Sequence, residues 1–354
     1  MKKFVFGLAS IALLFSACNS DTKEITLDQE IDMSDFYVYT DSADDLANKS
    51  NTGKEMNKTC GTMSNLNRLL AENPGLEKKM FDIEYHTRKL INAKGKPAGN
   101  PGSGGGDSVE TDIDVLPIQD NLNIVIPVYF HIILPNANDV SNAQIQSQLN
   151  VLNDDFSKSN TNLLPSGATN FINDATNTGI SFTLAGIVRH DDPTSSWGTN
   201  DSVKKKYPPI SPSTQLNIWV CNLGSGLLGY AQFPGGSPDT DGVVILHESL
   251  PGGSASNYNL GRTASHEVGH YLNLRHIWGD GRCRQDDFVE DTPTSDGPNY
   301  RCPVYPTMNC SSTDMTMNYM DYTYDSCMYM FTDGQRNRMR AIFASGGARE
   351  IMIQ

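Results

Sequence analysis

The chain has 354 residues, enough for one large domain or two moderate ones, each able to bury a core. Its composition is that of an ordinary globular protein, and its formal net charge of -14 argues against nucleic acid or an anionic membrane surface as a partner, since both would repel it at long range.

The chain opens with Met1-Lys2-Lys3, an apolar run from Phe4 to Phe15, and then Ser16-Ala17-Cys18. A basic start, an apolar centre and small residues before a cut predict an export signal over residues 1–17, too short for a transmembrane span. Cys18 stands where a bacterial lipoprotein signal is lipidated, although Phe15 occupies a place where such signals usually carry Leu. The alternative is an ordinary cleaved signal with an incidental cysteine. Either way the mature protein leaves the cytoplasm, secreted or anchored to the outer membrane through Cys18, and disulfides can persist there.

Residues 18–93 read as a small N-terminal piece. It begins polar and acidic, and then Leu66, Leu69, Leu70, Leu76, Met80, Ile83, Leu90 and Ile91 recur at helical spacing. That pattern predicts two short amphipathic helices separated at Asn73-Pro74-Gly75, with too few apolar residues for a core of their own. Residues 94–119 follow as a linker whose KGKPAGNPGSGGGD stretch has almost no side chain to bury and is open to proteolytic nicking. A small piece, a cuttable linker and a large domain over residues 120–354 form the layout of a zymogen, or simply of two tethered domains.

The large domain opens with a β-branched run from Ile124 to Ile133, suited to a buried strand. Ser141 and Gln144 form a capping-box signature before a helix whose inner face carries Ile145, Leu149, Leu152 and Phe156. Strand-like runs follow at Ile180 to Val188, Leu216 to Cys221, Leu227 to Phe233 and Gly242 to His247, divided by Gly, Pro, Asn and Asp clusters. A helix is predicted over about Leu260 to Leu274. From Trp278 to Tyr329 the chain becomes loop-rich, and a final helix starts at Thr332, which makes a second capping box with Gln335. The sum is a mixed α/β (α+β) domain with a twisted sheet.

Seven cysteines fall unevenly along the chain. Cys18 belongs to the signal, Cys60 is alone in the N-terminal third, and Cys221 lies in a strand-like run. Cys283, Cys302, Cys310 and Cys327 cluster downstream and suggest two disulfides, with three pairings that spacing alone leaves open. Cysteine ligation of zinc competes with that reading, but no CxxC pair is present among them.

The chemistry concentrates in His266-Glu267-Val268-Gly269-His270, with His276 six residues on. On a helix His266 and His270 share a face, so both imidazoles can reach one Zn2+ ion while Glu267 leans over the open position. A sharp turn after Leu272 would return His276 as a third ligand. Three protein nitrogens and one water make a catalytic zinc site, whereas a structural site is closed by four protein ligands. Such an ion acidifies its water and polarises a carbonyl, and Glu267 would serve as general base and then acid in peptide hydrolysis.

The segment His266 to His276 resembles the zinc motif of the metzincin endopeptidases, and Met317-Asn318-Tyr319-Met320-Asp321-Tyr322 is similar to their Met-turn. The surroundings resemble the pappalysin branch: Leu216 to Cys221, Leu227 to Ala231, Phe233 to Gly235, Thr240 to Val244, Asp291 to Pro293 and Cys327 to Thr332. The resemblance implies a metzincin-type domain with a mostly parallel sheet and a disulfide-stapled C-terminal subdomain, behind a small helical pro-region. It implies zinc on His266, His270 and His276, Glu267 as base, Met320 as the floor beneath the metal, and Tyr322 as a stabiliser of the transition state. It also implies pairing of Cys283 with Cys310 and of Cys302 with Cys327, and Ca2+ in the loop of Asp287 and Thr292, against the plainer reading of solvated acidic residues. Asn273 departs from the glycine usual in the family, and asparagine is the non-glycine residue that best tolerates a left-handed turn.

Cys60-Gly61-Thr62 resembles the latency motif of such precursors, in which a thiolate takes the water's place on zinc. Pairing of Cys60 with Cys221, or a free thiol, is the alternative. The whole predicts an exported, monomeric zymogen of a zinc endopeptidase acting on proteins or peptides, which add as a strand along Gly226 to Phe233. A noncatalytic zinc-containing adhesion module and a zinc amidase of cell-wall peptides are the rival expectations. Retention of Glu267 argues against the first.

Overall fold

The buried, β-branched runs become the frame of the computed structural model, which describes residues 31–40, 59–94, 119–160 and 171–353. The predicted signal, Cys18 and nearly all of the predicted linker lie outside the described residues. In chain order the elements are β1 (Thr59–Cys60), α1 (Thr62–Glu72), α2 (Leu76–Lys94), β2 (Ile124–Leu134), α3 (Asn142–Phe156), β3 (Ile180–Asp191), α4 (Ser202–Lys206), β4 (Leu216–Cys221), β5 (Leu227–Ala231), β6 (Val243–Leu246), α5 (Arg262–Tyr271), the two-residue strands β7 (Tyr300–Arg301), β8 (Met308–Asn309), β9 (Ser312–Thr313) and β10 (Tyr322–Thr323), and α6 (Asp333–Ala341).

The main sheet has the order β1-β5-β6-β4-β2-β3, and every neighbouring pair is parallel except β5 with β6. β4 and β6 are buried at every residue, as parallel strands covered on both faces are. Pro127 is tolerated inside β2 because β4 pairs with β2 only from Val128 onward, so the missing N–H interrupts no ladder on that side. One face of the sheet packs on α3 and α5, where Ile145, Leu149, Leu152, Ala264, Val268 and Tyr271 join the main core.

Capping decides where several helices begin. Ser141 Oγ accepts from the Gln144 N–H at 3.1 Å, but the Gln144 amide donates to the Pro251 carbonyl instead of returning to Ser141, so that cap is only half a box. At α6 both halves form, with the Gln335 N–H on Thr332 Oγ1 and the Thr332 N–H on Gln335 Oε1. The active helix is shorter than the apolar spacing predicts. Gly261 sits at φ 89° before it, the Asp325 carboxylate accepts the Leu260 N–H, and Asn273 turns left-handed at φ 76° beyond it.

The N-terminal piece departs from the prediction in length, since α2 runs for 19 residues and is no short helix. Its lack of an independent core holds. Val38, Met63, Leu66, Leu69, Leu70, Leu76 and Met80 close around Phe233 of the large domain. Two further ties join them. Arg275 donates to the Tyr37 carbonyl at 2.6 Å with its guanidinium over the Tyr37 ring, and Glu84 on α2 pairs with Arg338 on α6 at 2.7 Å. Among the described residues no helix is long and apolar enough to cross a membrane.

Candidate metal centre

Helical spacing brings two imidazoles together and a turn brings the third. His266 and His270 stand one turn apart on α5, with Nε2 atoms 3.1 Å apart. Past Tyr271 the left-handed Asn273 lets the Leu274 N–H donate back to the Gly269 carbonyl at 2.9 Å, and the chain doubles under the helix. His276 then lies with its Nε2 3.1 Å from that of His270 and 3.3 Å from that of His266.

The outer ring nitrogens fix the tautomers. The Nδ1–H of His266 donates to the Tyr319 carbonyl at 2.7 Å and that of His270 to the Leu274 carbonyl at 2.8 Å. The Nδ1–H of His276 meets the Asp280 carboxylate at 2.5 Å. A carbonyl can only accept, so the proton of His266 and His270 sits on Nδ1 and each Nε2 offers a lone pair. Burial, reinforced by the neighbouring imidazoles, pushes His266 down to about 3 and His270 well below its ordinary value. Three bare lone pairs facing one another this closely repel unless a cation lies between them. The donor set therefore fits a metal ion.

Cys60 closes the set. Its sulfur belongs to a group with the three histidine nitrogens in which all four ligand atoms lie within 4.8 Å of one another, all on buried residues. The thiol is presented by the two-residue β1, the next residue, Gly61, donates its N–H to the Gly229 carbonyl at 2.8 Å, and the Cys60 sulfur accepts the Thr62 N–H at 3.3 Å. Cys221, the other cysteine outside the disulfides among the described residues, is buried in β4 with its thiol held protonated by burial.

Glu267 faces the same space and is 1 % exposed. Its Oε2 accepts from the Thr62 hydroxyl at 2.7 Å, and that hydroxyl accepts in turn from the Ala231 N–H at 2.8 Å. Gly229 makes this approach possible, because a Cβ there would lie 2.9 Å from Glu267 Cγ and 2.8 Å from the Val244 carbonyl. Tyr322 packs its ring 4.9 Å from that of His276. Met320 is fully buried beneath α5, where a Cβ on Gly269 would meet its sulfur at 2.4 Å.

Several contributors escaped the sequence reading. Trp278 stacks on His276 at 4.3 Å, Asp280 orients the same ring, and Asp155 accepts from both the Ser265 and Tyr319 hydroxyls, pinning the helix to the Met320 turn. The i, i+4 spacing of His276 and Asp280 was the available signal for the second. Away from the imidazoles, Thr292 donates to Asp287 Oδ1 at 2.7 Å, and burial drives the Asp287 carboxyl well above the ordinary range. Disulfides join Cys283 to Cys310 and Cys302 to Cys327, their spans overlapping in the loop-rich region.

Comparison with known proteins agrees with this geometry. The family profile described as pregnancy-associated plasma protein-A matches residues 204–344. An extracellular metalloprotease of Arthroderma benhamiae is 37% identical over 233 residues, which make up 62% of this chain and 72% of that protein. One from Colletotrichum graminicola is 34% identical over 232 residues, covering 62% of this chain and 76% of its own length. Among solved structures, mature mirolysin of Tannerella forsythia bound to a cleaved peptide is 44% identical, with a TM-score of 0.62 over 65% of this chain and 96% of that one. A promirolysin mutant from the same organism is 37% identical, with a TM-score of 0.68 over 84% of this chain and 97% of that one.

Proposed function

The chain belongs to the pappalysin family of metalloendopeptidases, and from that membership we propose that it is an extracytoplasmic zinc endopeptidase held latent by its own N-terminal piece. The observation that carries the proposal is the convergence of three bare imidazole nitrogens 3.1–3.3 Å apart beside the Glu267 carboxylate. Nitrogens bound tetrahedrally at the usual zinc distance stand about 3.3 Å from one another. Zinc, when bound, supplies an acidified water and a polarised substrate carbonyl.

The remaining work falls to the chain's own residues. Glu267 takes a proton from the attacking water and returns it to the leaving amine, a task for a carboxylate held beside the open position. The peptide to be cut adds to β5, whose outer edge carries the Gly229 carbonyl and the Ala231 N–H now engaged by Gly61 and Thr62. We assign Tyr322, whose ring lies 4.9 Å from that of His276, the role of stabilising charge on the carbonyl under attack, and Met320 that of the floor beneath the imidazoles. Asn273, Asp280 and Trp278 hold His276 in place.

Latency follows from the same contacts. Cys60 fills the fourth ligand position, and residues 18–93 act as the pro-region until the segment over 94–119 is cut. A second cation site is proposed at Asp287, where the Oδ2 atom is buried with no hydrogen-bond partner, a setting suited to Ca2+. Anchoring through Cys18 and a monomeric state belong to the same reading.

The test uses purified, processed enzyme on casein beside peptidoglycan. Casein should be cut, a zinc chelator should stop it, and Glu267→Ala should lower the rate by roughly two to four orders of magnitude. Unchanged casein cleavage by that variant would overturn the mechanism, and release of cell-wall peptides alone would favour an amidase.

A further inference from the structure

Beyond α6 the chain doubles back on itself. Gly346 turns left-handed at φ 75°, a Cβ on Gly347 would lie 2.4 Å from the Ile342 carbonyl, and the Arg349 N–H donates to that same carbonyl at 2.8 Å. Met352 then joins the main core, so the tail is packed down on the far side of Arg349 as well. The Arg349 side chain is 6 % exposed and sits over the Tyr271 ring, its guanidinium carbon 3.4 Å from the centroid.

That guanidinium holds two elements at once. Its terminal nitrogens fork onto the Asp241 carboxylate at 2.7 and 3.0 Å, and Nε donates to the Tyr271 carbonyl at 3.1 Å. Tyr271 is the last residue of α5 and follows His270 directly. The final carbonyls of a helix have no donor within it, and a cation there also suits the helix dipole. The turn beyond α5 supplies donors for Gly269 and His270, from the N–H groups of Leu274 and Asn273, whereas Tyr271 takes its donor from the tail.

Both grips lead back to the metal centre. The turn that leaves Tyr271 ends at Leu274, whose carbonyl orients the His270 ring, and continues to His276. Asp241 precedes Gly242, whose carbonyl accepts the N–H of Gln232, the residue after β5. Arg349 therefore spans the end of the helix that bears two imidazoles and the base of the hairpin that carries the peptide-binding edge.

We propose that Arg349 is a positioning residue for peptide hydrolysis: from the C-terminal tail it fixes the end of α5, and with it the turn that aims His270 and delivers His276, against the base of β5. The inference rests on the zinc endopeptidase reading above. A lysine would not replace it, because an ammonium is a point charge on a flexible stem and lacks the planar fork that holds a carboxylate and a carbonyl together.

The test compares processed wild-type enzyme with Arg349→Ala and Arg349→Lys, well below their melting temperatures. Three quantities are read: kcat and KM on one peptide, zinc retention against a chelator, and the visible spectrum after replacement of zinc by Co2+, which reports ligand geometry. In Arg349→Ala, kcat and zinc retention should each fall about tenfold or more with KM within about twofold, and the cobalt band should shift. Arg349→Lys should lie between the two, and it carries the test if Arg349→Ala folds poorly. Wild-type kcat, zinc retention and cobalt spectrum in either variant, whatever its melting temperature, would leave Arg349 a fold-stabilising role only and overturn the proposal. A raised KM with unchanged kcat would overturn it too. Wild-type enzyme that neither retains zinc nor cuts the peptide would strike the endopeptidase reading itself.

Discussion

The Thr62 hydroxyl donates to the Glu267 carboxylate at 2.7 Å while accepting from the Ala231 N–H, so a single side chain of the N-terminal piece engages both that buried carboxylate and the sheet edge. Cys60 and Thr62 are neighbours but one, and between them they meet the three imidazoles and the Glu267 carboxylate. The proposed latency therefore has two chemical handles. The first prediction separates them.

Thr62→Val keeps the volume and deletes both hydrogen bonds. A hydrogen bond to a charged group is worth about 1.5–3 kcal/mol, so docking of the N-terminal piece should weaken by an amount of that order. Initial rates of peptide cleavage by the uncut precursor should rise by about tenfold or more. Latency indistinguishable from wild type would show that the Glu267 contact is incidental.

Cys60→Ala removes the thiol and keeps Thr62 in place. The precursor should then display activity before its linker is cut, visible as early self-processing during purification. Persistent latency in Cys60→Ala together with its loss in Thr62→Val would assign the lock to the carboxylate contact alone.

The Glu84–Arg338 pair makes docking sensitive to acid. Burial pushes the Glu84 carboxyl up, but the charge and hydrogen bonds of Arg338, and then those of Arg88, outweigh it and hold the group at about 2. A carboxyl lowered on folding lends stability that is complete above its free value of 4.5 and disappears as the pH falls from there towards 2. The displacement corresponds to about 3 kcal/mol. The melting temperature of the precursor should fall across that window, and Glu84→Gln should flatten this part of the profile while lowering stability at neutral pH, where Arg338 is left buried and unpaired. Parallel pH profiles for the two proteins would refute the assignment.

Asn273 at φ 76° sets up the third imidazole. Asn273→Ala should cost about 1–2 kcal/mol, read as a lower melting temperature and weaker retention of zinc in dialysis against chelator. Asn273→Gly should match or exceed wild type. Equal effects of the two substitutions would mean that the side chain, and not the backbone conformation, matters there.

What could be read in advance followed local rules. The spacing of His266 and His270 needs only the helix period, and the strands of the buried sheet announce themselves as β-branched runs between turn residues. Thr332 and Gln335 cap a helix as their three-residue separation predicts. The unread part rests on contacts distant in sequence or made by backbone. The carbonyls of Tyr319 and Leu274 that orient two imidazoles have no side-chain signature. Thr62 meets a residue 205 positions away, and the end of α5 near Leu260 is set by Asp325 from a loop. Gln144 also shows a local signal being overridden, since the Pro251 carbonyl draws off the amide that would have completed its cap.

The N-terminal piece touches the large domain at two distant parts: β1 lies along the sheet edge at β5, and α2 reaches the C-terminal helix α6 through Glu84. It is therefore a splint as well as a plug. The sheet edge and the C-terminal subdomain are thus tied together by a third body, in addition to the disulfides Cys283–Cys310 and Cys302–Cys327 within the latter. Under the proposed activation, loss of the N-terminal piece would remove a brace as well as a stopper, and leave the spacing of the two parts to the disulfides and to the packing beneath α5.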